Sequence, residues 1–169
     1  MREHPTLTVV AKAMHRQAYF DHLEFEPFEV RSLEPVELMA EKVRAAFQRT
    51  KVRDLYDLHR FSSTPFDAGL LRRLAVLKLW QVRDPFDPGA FFTKLRSGLY
   101  DWEDIRRLVR TSERIEPGEI VASVEGRFAA FRNLAELEQQ VVAHATSGWN
   151  EPLVERFRSE IRELAAGQA

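Results

Sequence analysis

The chain has 169 residues, 44% hydrophobic and 30% charged, with a formal net charge of -1 at pH 7. That length suits one domain burying roughly 70% of its unfolded surface, and the absence of cysteine excludes disulfides, thiol nucleophiles and Cys-ligated zinc. No apolar run approaches a membrane span, and the Met1-Arg2-Glu3-His4-Pro5 start lacks a signal peptide's apolar segment, so a cytoplasmic location is expected.

In chain order, Thr6 to Val10 and Glu24 to Arg31 are the two strand candidates, the second with Phe25 and Phe28 beside Pro27. Glu34-Pro35 opens a helix, proline being tolerated in a first turn. Its apolar stripe is Val36, Met39, Ala40, Val43 and Phe47. A second helix follows a cationic loop, with Leu55 and Leu58 on its buried side. Ser63-Thr64-Pro65 interrupts, and Phe66 to Arg83 reads as the central core helix, with Leu70, Leu71, Leu74, Leu77 and Trp80 on a wide apolar face. Asp84-Pro85-Phe86-Asp87-Pro88 is a turn, followed by helices near Ala90 to Arg96 and Trp102 to Thr111. Phe91, Phe92, Leu95, Trp102, Ile105 and Leu108 fit core packing better than ligand stacking. After Ile115-Glu116-Pro117-Gly118, helical stripes run near Glu119 to Phe131, Leu134 to Thr146 and Pro152 to Ala165. The expected fold is α+β and predominantly α-helical. One domain is expected, with strands in residues 1–33, motif helices in 34–62 and a helical bundle in 63–169.

The chemistry-bearing stretch is Glu41-Lys42-Val43-Arg44-Ala45 and, past the loop, Lys51-Val52-Arg53-Asp54-Leu55-Tyr56-Asp57-Leu58. Lys42 lies off the core stripe, on a flank shared with Leu38, Ala45 and Arg49, where an ammonium can hold a phosphate as a point charge. Asp54 and Asp57 fall three residues apart on one helix face. The competing structural reading is that Asp54 favours a helix N-terminus and Arg53 forms an i, i+4 ion pair with Asp57. The five histidines show no metal-ligand spacing.

These two segments resemble the third and fourth motifs of the AbiEii/AbiGii-type nucleotidyltransferase toxins, and the similarity extends from about Phe28 through the helical remainder, including Leu79-Trp80-Gln81. The resemblance implies that Lys42 contacts nucleotide phosphates and that Asp54 is an acid/base or acceptor-orienting carboxylate. It places Arg49, Lys51 and Arg53 toward phosphate, Glu41 and Asp57 in support, and the N-terminal strands as the remnant of a nucleotidyltransferase sheet. It further implies Mg²⁺, an NTP, an RNA acceptor such as tRNA, and an antitoxin protein. The sequence departs from that pattern. All seven glycines begin at Gly69, downstream of both motifs, so no phosphate-binding glycine turn precedes them, and there is no Asp-x-Asp pair. Glu24-Phe25-Glu26 is the nearest acidic pair and reads better as one face of a strand. Complementation by a second polypeptide, or a homodimer through an unpaired strand edge, would remedy the missing half.

From Lys42 to Arg110 there are fifteen Lys/Arg against eight Asp/Glu, while Thr111 to Ala169 has six against ten. Arg72, Arg73, Lys78, Lys94, Arg96, Arg106, Arg107 and Arg110 could extend a cationic RNA-binding surface. Two functional classes stand: a nucleotide-transferring toxin component, and a non-catalytic RNA- or protein-binding helical module.

Overall fold

The computed structural model describes residues 5–14, 17–23, 26–110, 113–145 and 150–167. It is α+β and predominantly helical. Strands β1 (Val10–Ala13) and β2 (Glu29–Ser32) form a two-stranded antiparallel sheet, with a 3₁₀ turn at Ala18–His22 between them. Eight helices follow among the described residues: α1 (Pro35–Gln48), α2 (Val52–Ser62), α3 (Ala68–Gln81), α4 (Pro88–Ser97), α5 (Trp102–Arg106), α6 (Pro117–Arg127), α7 (Glu136–His144) and α8 (Glu151–Ala166). No helix among them is long and apolar enough to cross a membrane.

Local sequence sets most helix starts. Pro35, Pro88 and Pro117 occupy first-turn positions, where a missing N–H removes nothing from the helix. Asp67 caps α3 by accepting the Leu70 N–H at 2.8 Å. Asp87 caps α4 through Ala90, and Asn150 caps α8 through Leu153.

Helix α3 is the centre of the bundle. Leu70, Leu71, Leu74, Ala75, Val76, Leu77, Leu79 and Trp80 are all buried, and the helix packs on α1, α7 and α8. A helix apolar all round must be covered all round. Beside it, Phe86, Phe91, Phe128 and Phe131 stack in an aromatic cluster, with Phe86 and Phe131 edge to face at 5.9 Å.

Several elements differ from the sequence expectation. Thr6 and Leu7 precede β1 rather than forming a strand, because their backbone N–H groups donate to the Glu37 carboxylate at 2.7 and 2.9 Å. That pins the segment to α1. Residues 26–28 lie before β2, with Phe28 59% exposed, and Glu24 and Phe25 lie outside the described residues. Phe66 precedes the Asp67 cap and falls outside α3. Helix α5 ends at Arg106, well short of Thr111, which lies outside the described residues as Thr146 does. Leu108 is 55% exposed instead of buried, since it follows the end of α5. The stretch to Phe131 divides into α6 and a 3₁₀ turn at Ala129–Arg132.

Candidate functional site

Helices α1 and α2 are joined by Arg49-Thr50-Lys51, and the break folds α2 back along α1. Burial of Met39, Ala40 and Val43 on one helix and Val52, Leu55 and Leu58 on the other fixes their rotation. Lys42 is thereby turned toward α2, where its Nζ lies 2.6 Å from the Asp57 carboxylate. Both side chains are about a third exposed, at 33% and 37%, so an incoming anion has access to the ammonium. A concavity of about 300 Å³ beside it is lined by Glu41, Lys42, Arg44, Ala45, Gln48 and Arg49.

One helical turn away, Arg49 grips Asp54 with two parallel bonds, Nε to Oδ2 at 2.6 Å and Nη2 to Oδ1 at 3.0 Å. The carboxylate is only 3% exposed while the guanidinium is 60% exposed. Hydrogen bonding to Asp54, and then its charge, raise the Arg49 pKa further above its ordinary value. In this arrangement Asp54 orients Arg49 and presents its cationic outer edge to the solvent, the bidentate geometry that suits guanidinium–carboxylate pairs.

Arg53 does not pair with Asp57. It reaches α5, where its Nε and Nη2 donate to Asp104 at 2.8 and 2.6 Å, because Lys42 already occupies Asp57. The bond from Arg53, reinforced by the charges of Arg53, Lys51 and Arg107, holds Asp104 below the usual carboxylate range. Lys51, the residue before α2, is exposed. Tyr56 donates its hydroxyl to Glu113, which Arg60 also contacts at 3.3 Å. Desolvation and then that hydrogen bond push the Tyr56 pKa up to about 12. Lys42 with Asp57 near the middle of the α1–α2 pair and Arg49 with Asp54 at its connection thus form two neighbouring ion pairs, and Arg53 turns away from them to α5.

Glu41 faces inward more than expected. Its carboxylate lies 3.0 Å from the Nζ of Lys78 and 2.7 Å from Arg44. Lys78, expected on the cationic surface, is 2% exposed and also sits 2.7 Å from Glu37, which is fully buried. Glu37 and Glu41 are one turn apart on α1, a like-charge spacing that is unfavourable unless a cation lies between them. That spacing was the available signal for this cluster. The surface expectation fails at Arg72 and Arg73 too: Arg72 is 13% exposed, donates to the buried Glu138 at 2.8 Å and reaches the Ala130 carbonyl, and Arg73 is 23% exposed with Glu138 at 4.0 Å. Lys94 donates to the Phe47 carbonyl, and Arg96 pairs with Glu125 at 2.8 Å. Arg106, Arg107 and Arg110 remain exposed, the first two 3.7 Å from Glu103.

Mg²⁺ takes several oxygen donors in near-octahedral geometry. Both oxygens of Asp54 are held by Arg49 and Asp57 is held by Lys42. Among the described residues no group of three His, Asp or Glu side chains could hold a metal ion. Glu24 lies outside the described residues and Glu26 is exposed. The donor set present does not fit Mg²⁺.

A family model described as nucleotidyl transferase AbiEii toxin, type IV toxin–antitoxin system, matches residues 3–156. The chain belongs to that AbiEii nucleotidyltransferase toxin family. Among solved structures it is similar to MenT4, a nucleotidyltransferase toxin from Mycobacterium tuberculosis H37Rv, at 26% identity and a TM-score of 0.78. The similarity covers 93% of this chain and 55% of the MenT4 chain, so this chain spans little more than half the length of that relative. No curated protein matches the chain.

Proposed function

We propose that this chain contributes the phosphate-binding side of a nucleotidyltransferase toxin that moves a nucleotide from an NTP to RNA, with the acceptor end of tRNA as substrate. The observation that carries this reading is the accessible Lys42 ammonium, 2.6 Å from Asp57 and part of the lining of the concavity along α1. Phosphoryl-group transfer needs little covalent chemistry from the protein and is driven by positioning and charge stabilisation. Lys42 contacts the phosphates, exchanging Asp57 for a more highly charged anion. Arg49 offers its exposed edge to the same anion, with Lys51 beyond it. Asp54 holds Arg49 in place and Asp57 holds Lys42, while the acid/base or acceptor-orienting role that the resemblance gives Asp54 requires Arg49 to release it. The donors for Mg²⁺ come from outside the described residues or from a complementary polypeptide. An antitoxin protein restrains the activity.

Incorporation of each labelled NTP into total tRNA by the purified chain, with Mg²⁺ supplied, tests this reading. Label transferred to tRNA is the expected result once the Mg²⁺ donors are supplied, by the chain itself or by a complementary polypeptide added to the assay. A specific observation favours the second reading, a non-catalytic RNA- or protein-binding module: Asp54 is closed off from solvent by Arg49. No transfer from any NTP by the chain alone would favour that reading or one half of a split enzyme, and NTP binding that Lys42→Ala weakens would distinguish the half enzyme from the non-catalytic module.

A further inference from the structure

The pairing of β1 with β2 leaves a strand edge whose hydrogen-bonding groups can be assigned residue by residue. Val10 lies opposite Ser32, Ala11 opposite Arg31, Lys12 opposite Val30 and Ala13 opposite Glu29, and the Met14 N–H donates to the Phe28 carbonyl at 3.3 Å. Phe28 therefore turns its backbone groups toward β1. By the two-residue alternation of an antiparallel ladder, Val30 and Ser32 do the same, and Glu29 and Arg31 turn their N–H and C=O outward. No third strand joins the sheet among the described residues.

The side chains of this edge are open as well. Glu29 and Arg31 are exposed and share one face of the strand, and neither forms an ion pair among the described residues. Val30 on the opposite face is 44% exposed. Tyr19, Leu23, Phe28 and Val30, four of the seven large apolar side chains that are exposed among the described residues, belong to this hairpin and the turn within it. A two-stranded hairpin is marginal by itself in water, and an unpaired edge of this kind is a template for another strand.

We propose that β2 pairs antiparallel with β2 of a second copy of this chain, about a two-fold axis through Val30. The outward groups at positions 29 and 31 permit three registers. Glu29 opposite Glu29, or Arg31 opposite Arg31, sets like charges face to face, which is destabilising. The remaining register sets Glu29 opposite Arg31 of the second copy and Arg31 opposite its Glu29. Both pairs then exchange backbone hydrogen bonds, and the two Val30 side chains meet across the closer, non-hydrogen-bonded position. The strand is thus self-complementary in charge, as a two-fold interface requires. The edge of β1 offers no such match, since its outward positions Ala11 and Ala13 carry no charge.

Sedimentation equilibrium of the purified chain from about 10 µM to about 1 mM, the range in which small interfaces associate, tests the pairing. The expected result is a concentration-dependent dimer that Glu29→Arg weakens at least tenfold, and that the double variant Glu29→Arg/Arg31→Glu restores. Both positions are solvent-exposed, so circular dichroism should show all forms equally folded. A monomer at every concentration, whether or not another polypeptide binds the hairpin, would overturn the proposal. So would a dimer indifferent to Glu29→Arg, or a double variant that fails to recover.

Discussion

Lys78→Met is expected to destabilise the protein by about 3–5 kcal/mol, the cost of removing one partner from a buried ionic cluster. Lys78 is 2% exposed and bridges Glu37 at 2.7 Å and Glu41 at 3.0 Å. Glu37 is fully buried and also receives the Thr6 and Leu7 N–H groups, so losing the ammonium leaves a carboxylate with two backbone donors and no counter-charge. Methionine fills the space of the lysine stem but supplies no proton. For a chain of this length the loss corresponds to a fall in Tm of roughly 6–20 °C, and the N-terminal segment should loosen along with it. Burial, the largest single influence, lowers the Lys78 pKa, yet the hydrogen bonds to Glu37 and Glu41 together with their charges outweigh it, and the folded-state value lies above that of a free lysine. The contribution is therefore fully present below the ordinary lysine pKa and disappears as pH rises through the folded-state value. Differential scanning calorimetry between pH 7 and strong alkali checks both points. A variant melting within about 2 °C of wild type at neutral pH, less than about 1 kcal/mol, would show that the cluster is not holding α1 to α3.

Lys42→Ala is the second large effect, on transfer rather than stability. The side chain is a third exposed and its pair with Asp57 is close to the surface, so folding stability should change by no more than about 1 kcal/mol. Transfer to RNA should nevertheless fall at least a hundredfold in kcat/KM, the scale seen when one group stabilising transition-state charge is removed. Lys42→Arg keeps the charge but replaces a compact ammonium by a planar fork, and should recover only part of the loss. Single-turnover transfer assays alongside thermal melts separate the two quantities. Wild-type transfer by a folded Lys42→Ala protein would remove the role assigned to Lys42.

The helices were legible because their signals are local. Leucine periodicity marked α3 as central, and Pro35 marked the start of α1, whereas the Asp67 and Asp87 caps set the starts of α3 and α4 a residue or two away from the expected ones. The resemblance of the two motif segments also named the family. Partnerships across the chain were not legible, since helical spacing gives only near neighbours. Arg53 was read against Asp57, four residues on, but pairs with Asp104, 51 residues away. Lys78 was read as a surface cation even though apolar residues surround it along α3. A helix buried on all sides forces any charge within it to find a partner, and that reasoning would have paired Lys78 inward. In the N-terminal segment, Thr6 to Val10 was a strand candidate. Glu37 captures the first two amides of that stretch, a contact 31 residues distant that no local pattern encodes. At the candidate site the sequence placed Lys42 on one motif helix and Asp57 on the next without joining them, and it left the burial of Asp54 under Arg49 unseen.

The most direct test of the account is an equilibrium titration of the purified chain with each NTP by isothermal calorimetry, wild type beside Lys42→Ala. Saturable binding that weakens at least tenfold in the variant, about 1.4 kcal/mol of lost affinity, is the predicted result. No binding of any NTP by the wild type, or binding unchanged by Lys42→Ala, would contradict the assignment of the concavity beside Lys42 as a nucleotide site.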